Sequence, residues 1–185
     1  MAELEDVHHR AGWDNTGAVL YPVCRDGQVV DGVIAYSTQQ VHLDQLPGST
    51  PRESLHLLAT LLSQPGHQPS LARCYSSAPV AHILIHEAWM YSSAIEVDDV
   101  TGLEEEIAGR RLADVPGSVE IRLAVAVLGR HRLVVRRVRG EEPMLLHADK
   151  NSPVGIEFAG LLMEALIAVD RAAKRAYLAA KPMTN

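Results

Sequence analysis

The chain has 185 residues, 47% of them hydrophobic, and a formal charge of −6; it is long enough for one well-packed domain and too acidic for its whole surface to bind nucleic acid or an acidic membrane. No apolar run reaches the roughly 18 to 20 residues of a membrane span, and the first residues, Met1-Ala-Glu-Leu-Glu-Asp, are acidic where a signal peptide is basic, so a cytoplasmic protein is expected. Cys24 and Cys74 lie far apart without ligand spacing, which removes a zinc motif and leaves two small buried hydrophobes rather than a disulfide.

Glu3 to Arg10 reads as a helix with Leu4 and Val7 inward and acids in its first turn, where they favour the helix dipole; Gly12 ends it. Trp13, in the turn-rich Gly12-Trp13-Asp14-Asn15-Thr16-Gly17, is expected to anchor a helix-to-strand corner, a stacking platform for a ligand being the alternative. Ala18 to Cys24 is a strand that Pro22 places at an edge or bulge. Arg25-Asp26-Gly27-Gln28 reads as a hairpin turn, and Gln28 to Gly32 as a short bulged strand or irregular loop before the strand Val33 to Ser37. Thr50-Pro51-Arg52-Glu53 is a capping box with proline at the first helical position, opening a helix whose stripe is Leu55, Leu58, Leu61 and Leu62.

The apolar run from Pro79 to Tyr91 predicts a central strand covered on both faces. A second capping box, Thr101-Gly102-Leu103-Glu104, opens a helix to about Leu112. From Val119 to Val127 branched residues alternate with Glu120, Arg122, Ala124 and Ala126, and Gly129-Arg130 turns this strand into Leu133 to Arg139; a two-residue loop would set Glu120 opposite Arg139. Met144 to His147 is a last short strand. The longest helix follows, capped by Ser152 with Pro153 behind it, running to about Ala180 and stopped by Pro182. Phe158, Leu161, Leu162, Ala165, Leu166 and Val169 form its core face, while Ile156, Met163 and Ile167 lie roughly 100° or more around the wheel. Such a helix packs between layers of its own domain, the N-terminal helix being free to cover it, or against another chain. The fold class that results is α+β: a single domain over residues 1–185, a mostly antiparallel sheet of about five to six strands with helices packed against it and a long C-terminal helix.

The corner Ala11-Gly12-Trp13-Asp14, the Gln-Leu-Pro lead into the leucine-rich helix and the stretch Val119-Glu120-Ile121-Arg122-Leu123-Ala124-Val125-Ala126-Val127 resemble a family of small actinobacterial proteins for which no activity is established. The resemblance implies an actinobacterial setting, or a phage or plasmid living in one, and no catalytic residues.

His82, His86 and Glu87 are the strongest candidates for a site. On a strand the two histidines share a face with Leu84 and Glu87 points away; the order His-x-x-x-His-Glu matches no zinc-protease motif, so satisfied core histidines are expected, with metal ligation by His82 and His86 as the alternative. Nucleophile elbows and phosphate-binding glycine loops do not occur in the sequence. Arg130, Arg132, Arg136, Arg137 and Arg139 concentrate positive charge on one hairpin, suited to an anion or nucleic acid if they act together, although alternation splits them across two faces. Three functions follow: a non-catalytic interaction or assembly protein, self-associating or docking a protein through Ile156, Met163 and Ile167 of the C-terminal helix; an anion or nucleic-acid binder using the arginines; or a metal-dependent or hydrolytic enzyme centred on His82 and His86. The first is favoured, with no cofactor and no membrane partner.

Overall fold

The computed structural model describes residues 2–13, 17–30, 33–48, 50–66, 75, 77–91, 114–148 and 157–180. In chain order the elements are α1 (Ala2–Ala11), β1 (Val19–Val30), β2 (Val33–Thr38), β3 (Val41–His42), a 3-10 turn at Leu43–Gln45, α2 (Pro51–Ser63), β4 (Pro79–Tyr91), β5 (Ser118–Leu128), β6 (His131–Val138), β7 (Met144–Ala148) and α3 (Glu157–Ala180). All strands pair antiparallel in one seven-stranded sheet of order β2-β1-β4-β5-β6-β7, the two-residue β3 joining the start of β1. This is the α+β class that the alternation of strands and capped helices predicts. The capping boxes at residues 101–104 and the Ser152-Pro153 start of the long helix lie outside the described residues.

Period-two alternation sorts the sheet's side chains onto two faces. One face carries Leu20, Leu84, Leu123, Val125, Val127 and Val134, and α2 and α3 lie side by side on it, contributing Leu55, Leu58, Leu62, Leu162, Leu166 and Val169 to a continuous core. The other carries Val19, Tyr21, Ile83, Ile85, Ala124, Ala126 and Val135. There α1 is tied down, through Glu5 to β6 and through His8 to β1. The alternation of β5 decides which residues go where: its large branched side chains meet the helices, and its small and charged ones face α1.

Local signals set several joints. Thr50 Oγ1 accepts from the Glu53 amide and the Glu53 carboxylate accepts from the Thr50 amide, both at 3.2 Å, so the capping box of α2 is complete. Gly129 at φ 57° makes the tight turn between β5 and β6, with Leu128 opposite His131. The loop therefore has two residues and Arg139 meets Glu120, its amide donating to the Glu120 carbonyl at 2.9 Å and its Nη1 to the Glu120 carboxylate at 2.6 Å.

The first hairpin corrects the sequence reading. Asp26-Gly27 makes no turn: β1 runs on to Val30 with a register shift between Arg25 and Val29, and Val30 pairs with Val33. The shift absorbs the first Asp-Gly as an irregularity, and the second, Asp31-Gly32, lies outside the described residues.

The long helix brings a second correction. Met163 is only 3% exposed and belongs to the core shared by α2, α3 and the sheet; Ile167 packs against the same core, partly buried, and Ile156 lies outside the described residues. At Met163 and Ile167 the second apolar side of the helix is thus covered within the chain, on the sheet face where α2 lies alongside it, while α1 lies on the opposite face. Glu164, Arg171 and Arg175, spaced by seven and four residues, form an exposed charged stripe along the helix. Among the described residues, no helix is long and apolar enough to cross a membrane.

Candidate functional site: two buried polar networks and an exposed sheet edge

The first network lies under α1. Arg122 and Arg137 are direct partners in the β5–β6 register, on the face where the strand carries Ala124 and Ala126. Arg122 is 0% exposed and Arg137 is buried. Arg137 donates to both carboxylate oxygens of Glu5, from Nε at 2.8 and 2.9 Å and from Nη2 at 2.6 Å, and its Nη2 also reaches Asp6 Oδ1 at 2.7 Å. These bonds raise the Arg137 pKa still further above its ordinary value, the Glu5 hydrogen bonds most of all. Arg122 is held from the other side by Glu87 of β4, which accepts from Nε at 3.1 Å and from Nη2, and Nη2 donates to the Gly12 carbonyl at 2.6 Å. The Trp13 ring lies 4.5 Å from the Arg122 guanidinium carbon and 5.8 Å from that of Arg139. Trp13 is therefore the corner anchor the sequence suggests, and what it stacks on is the protein's own guanidinium groups. Beside this cluster His8 bonds the Tyr21 hydroxyl, which also accepts from Gln40 at 3.2 Å. Burial, then the nearby Arg122 charge, hold His8 below its ordinary pKa, and burial raises that of Tyr21.

The second network lies on the helix side. His82, wholly buried, places Nδ1 2.9 Å from Asp170 Oδ1, and Lys174 Nζ donates to Asp170 Oδ2 at 2.7 Å. An ionised carboxylate only accepts, so His82 Nδ1 is the donor in this bond. Burial alone would raise the Asp170 pKa, but the bonds from His82 and Lys174 carry it below the usual value. Tyr75 meets the His82 ring edge to face. The pair has the form of a base oriented by a carboxylate; yet Nε2 is buried and has no hydrogen-bond partner among the described residues. His86 is on the same face of β4, four residues along, or roughly 13 Å at strand spacing. His82 spends Nδ1 on Asp170, and among the described residues no group of three or more His, Cys, Asp or Glu side chains is placed to hold a metal ion.

His86 has its own consequence. Burial lowers its pKa from 6.5 to about 4, so the folded protein refuses a proton that the unfolded chain accepts. The stability this gives is complete above pH 6.5 and is lost as the pH falls through 4, at most about 3 kcal/mol in all. Urea midpoints measured from pH 7 to pH 4 are expected to fall more steeply for the wild-type chain than for His86→Gln. Parallel profiles would contradict the assignment.

The arginine hairpin is divided rather than pooled. Arg137 is consumed by Glu5 and Asp6, Arg139 pairs with Glu120, and Arg136 Nη2 lies 3.9 Å from Met144 Sδ, while Arg130 is exposed and Arg132 half-buried at the hairpin tip. This corrects the reading of five arginines as one anion site. Sequence reasoning missed Glu5, Asp6, Arg122 and Asp170 altogether; the one sequence signal for Arg122 is a lone guanidinium among the alanines of a strand face.

The outer margin of the sheet is the remaining feature. Met144 is 49% and Leu145 55% exposed, on successive residues of the terminal strand β7, which pairs only with β6 among the described residues. Fold and sites together define a single-domain α+β protein with an exposed apolar sheet edge. No family model, curated protein or solved structure matches the chain.

Proposed function

We propose that the chain is a cytoplasmic, non-catalytic assembly protein that self-associates edge to edge through β7. The observation that carries this reading is the exposed pair Met144 and Leu145. Because successive strand residues point to opposite faces, both sides of the sheet margin are apolar at the same place, which suits an added strand and is what monomers normally guard against with charge.

Charge favours a second copy as that strand. The basic hairpin tip, Arg130, His131 and Arg132, lies where β7 finishes, with Arg132 opposite Ala148, while Glu141 and Glu142 precede its start. Two identical edges related by a two-fold axis meet antiparallel, so each copy's acidic start comes beside the other's basic tip.

A charge swap tests the orientation. Reversing one end, by Glu141→Arg with Glu142→Arg or by Arg130→Glu with Arg132→Glu, is expected to weaken self-association by about tenfold or more at low salt. The chain carrying all four changes regains complementarity and most of the affinity. A fourfold variant no better than either half would exclude the two-fold edge.

A further inference from the structure

The helix α1 buries the wrong residues for an apolar anchor. Glu5 is 0% exposed and His8 is buried, whereas Val7 is 50% exposed and Leu4 only partly covered, so α1 rests on the sheet mainly through charge. Its receptor is built by other elements. Arg122 and Arg137, side by side on β5 and β6, would repel each other without an anion between them, and their planar forks suit a carboxylate. Glu87 is fixed to Arg122 from β4, leaving the position that Glu5 takes to be filled from above the sheet. Glu5 fills it incompletely: the buried Arg122 Nη1 has no hydrogen-bond partner among the described residues and stands 3.7 Å from Glu5 Oε1.

We propose that Arg122 and Arg137 form a carboxylate-recognition slot, that α1 occupies it as a built-in ligand, and that the slot accepts in trans an acidic helix presenting adjacent carboxylates as Glu5 and Asp6 do. The proposal is independent of β7, since the slot and the edge share no residue. A helix tied down through buried ion pairs leaves by local opening, which hydrates charges that salt then screens. Its departure presents two preoriented guanidinium groups, flanked by the Trp13 and Arg139 stack, to any helix with the same acidic pair.

The test uses the full chain and a labelled peptide with the sequence of residues 2–13. Wild-type protein is expected to bind it weakly, because α1 competes from within the same molecule. Glu5→Gln in the chain loosens that competitor and is expected to raise peptide affinity about tenfold, apparent affinity scaling with the fraction of open slots. A peptide with both acids made amides is expected to lose binding. Hydrogen exchange on the wild-type protein, which stands even if Glu5→Gln does not fold, is expected to show α1 amides exchanging faster than those of β5, and faster again with rising salt. The proposal is overturned if α1 exchanges only at the rate of β5, if the Glu5→Gln chain binds the peptide no better than wild type, or if the acid-free peptide binds equally well.

Discussion

Replacing Arg122 by methionine is expected to cost about 3 to 5 kcal/mol of folding stability. Methionine fills most of the space of the arginine stem, so the loss comes from charge. Glu87 would keep its carboxylate in a largely covered site without the guanidinium that donates to it twice, and the Gly12 carbonyl would lose its donor. Glu5 would retain Arg137, which keeps the penalty from doubling. Urea unfolding extrapolated to water measures the difference, and a companion carrying Glu87→Met as well separates charge from packing. With both partners apolar the chain is expected to recover most of the loss, because replacing a buried pair costs little where breaking one costs much. Arg122→Met within about 1 kcal/mol of wild type would mean that the network contributes no more than a surface pair.

Met163→Glu is expected to unfold the chain or to cost about 3 kcal/mol or more. The side chain is enclosed by a core that includes Leu58 and Leu62 of α2 and Leu162 and Leu166 of α3. Circular dichroism through a thermal scan reports the outcome. A folded variant of normal stability would return Met163 to the surface and restore the helix as a docking strip. The isosteric Met163→Leu, by contrast, is expected to change stability by less than about 1.5 kcal/mol.

What was legible in the sequence was local. The capping box of α2 closes within four residues and needs nothing from elsewhere. The β5–β6 register follows from strict alternation and a glycine turn, which is why the Glu120–Arg139 pair could be anticipated once a two-residue loop was assumed. Failures occurred where distant elements decide. Two Asp-Gly signals stand close together in the first hairpin, and the pairing of Val30 with Val33 rules out a turn at the first. A helical wheel measures angles about its own axis and cannot register that α2 lies alongside α3, so it placed Met163 outside the core. Glu5 and Arg137 are 132 positions apart, and His82 and Asp170 are 88 apart; no spacing rule reaches that far, and in each pair one partner looks like an ordinary surface charge of an amphipathic helix.

The mass of the wild-type chain in solution, by light scattering across a concentration series, tests the proposed assembly most directly, with Leu145→Lys measured beside it. The expected result is a wild-type dimer and a folded, equally stable Leu145→Lys monomer, since an exposed position tolerates charge while an added strand does not. A wild-type chain that stays monomeric throughout the series, or a Leu145→Lys variant that dimerises as tightly as wild type, would contradict it.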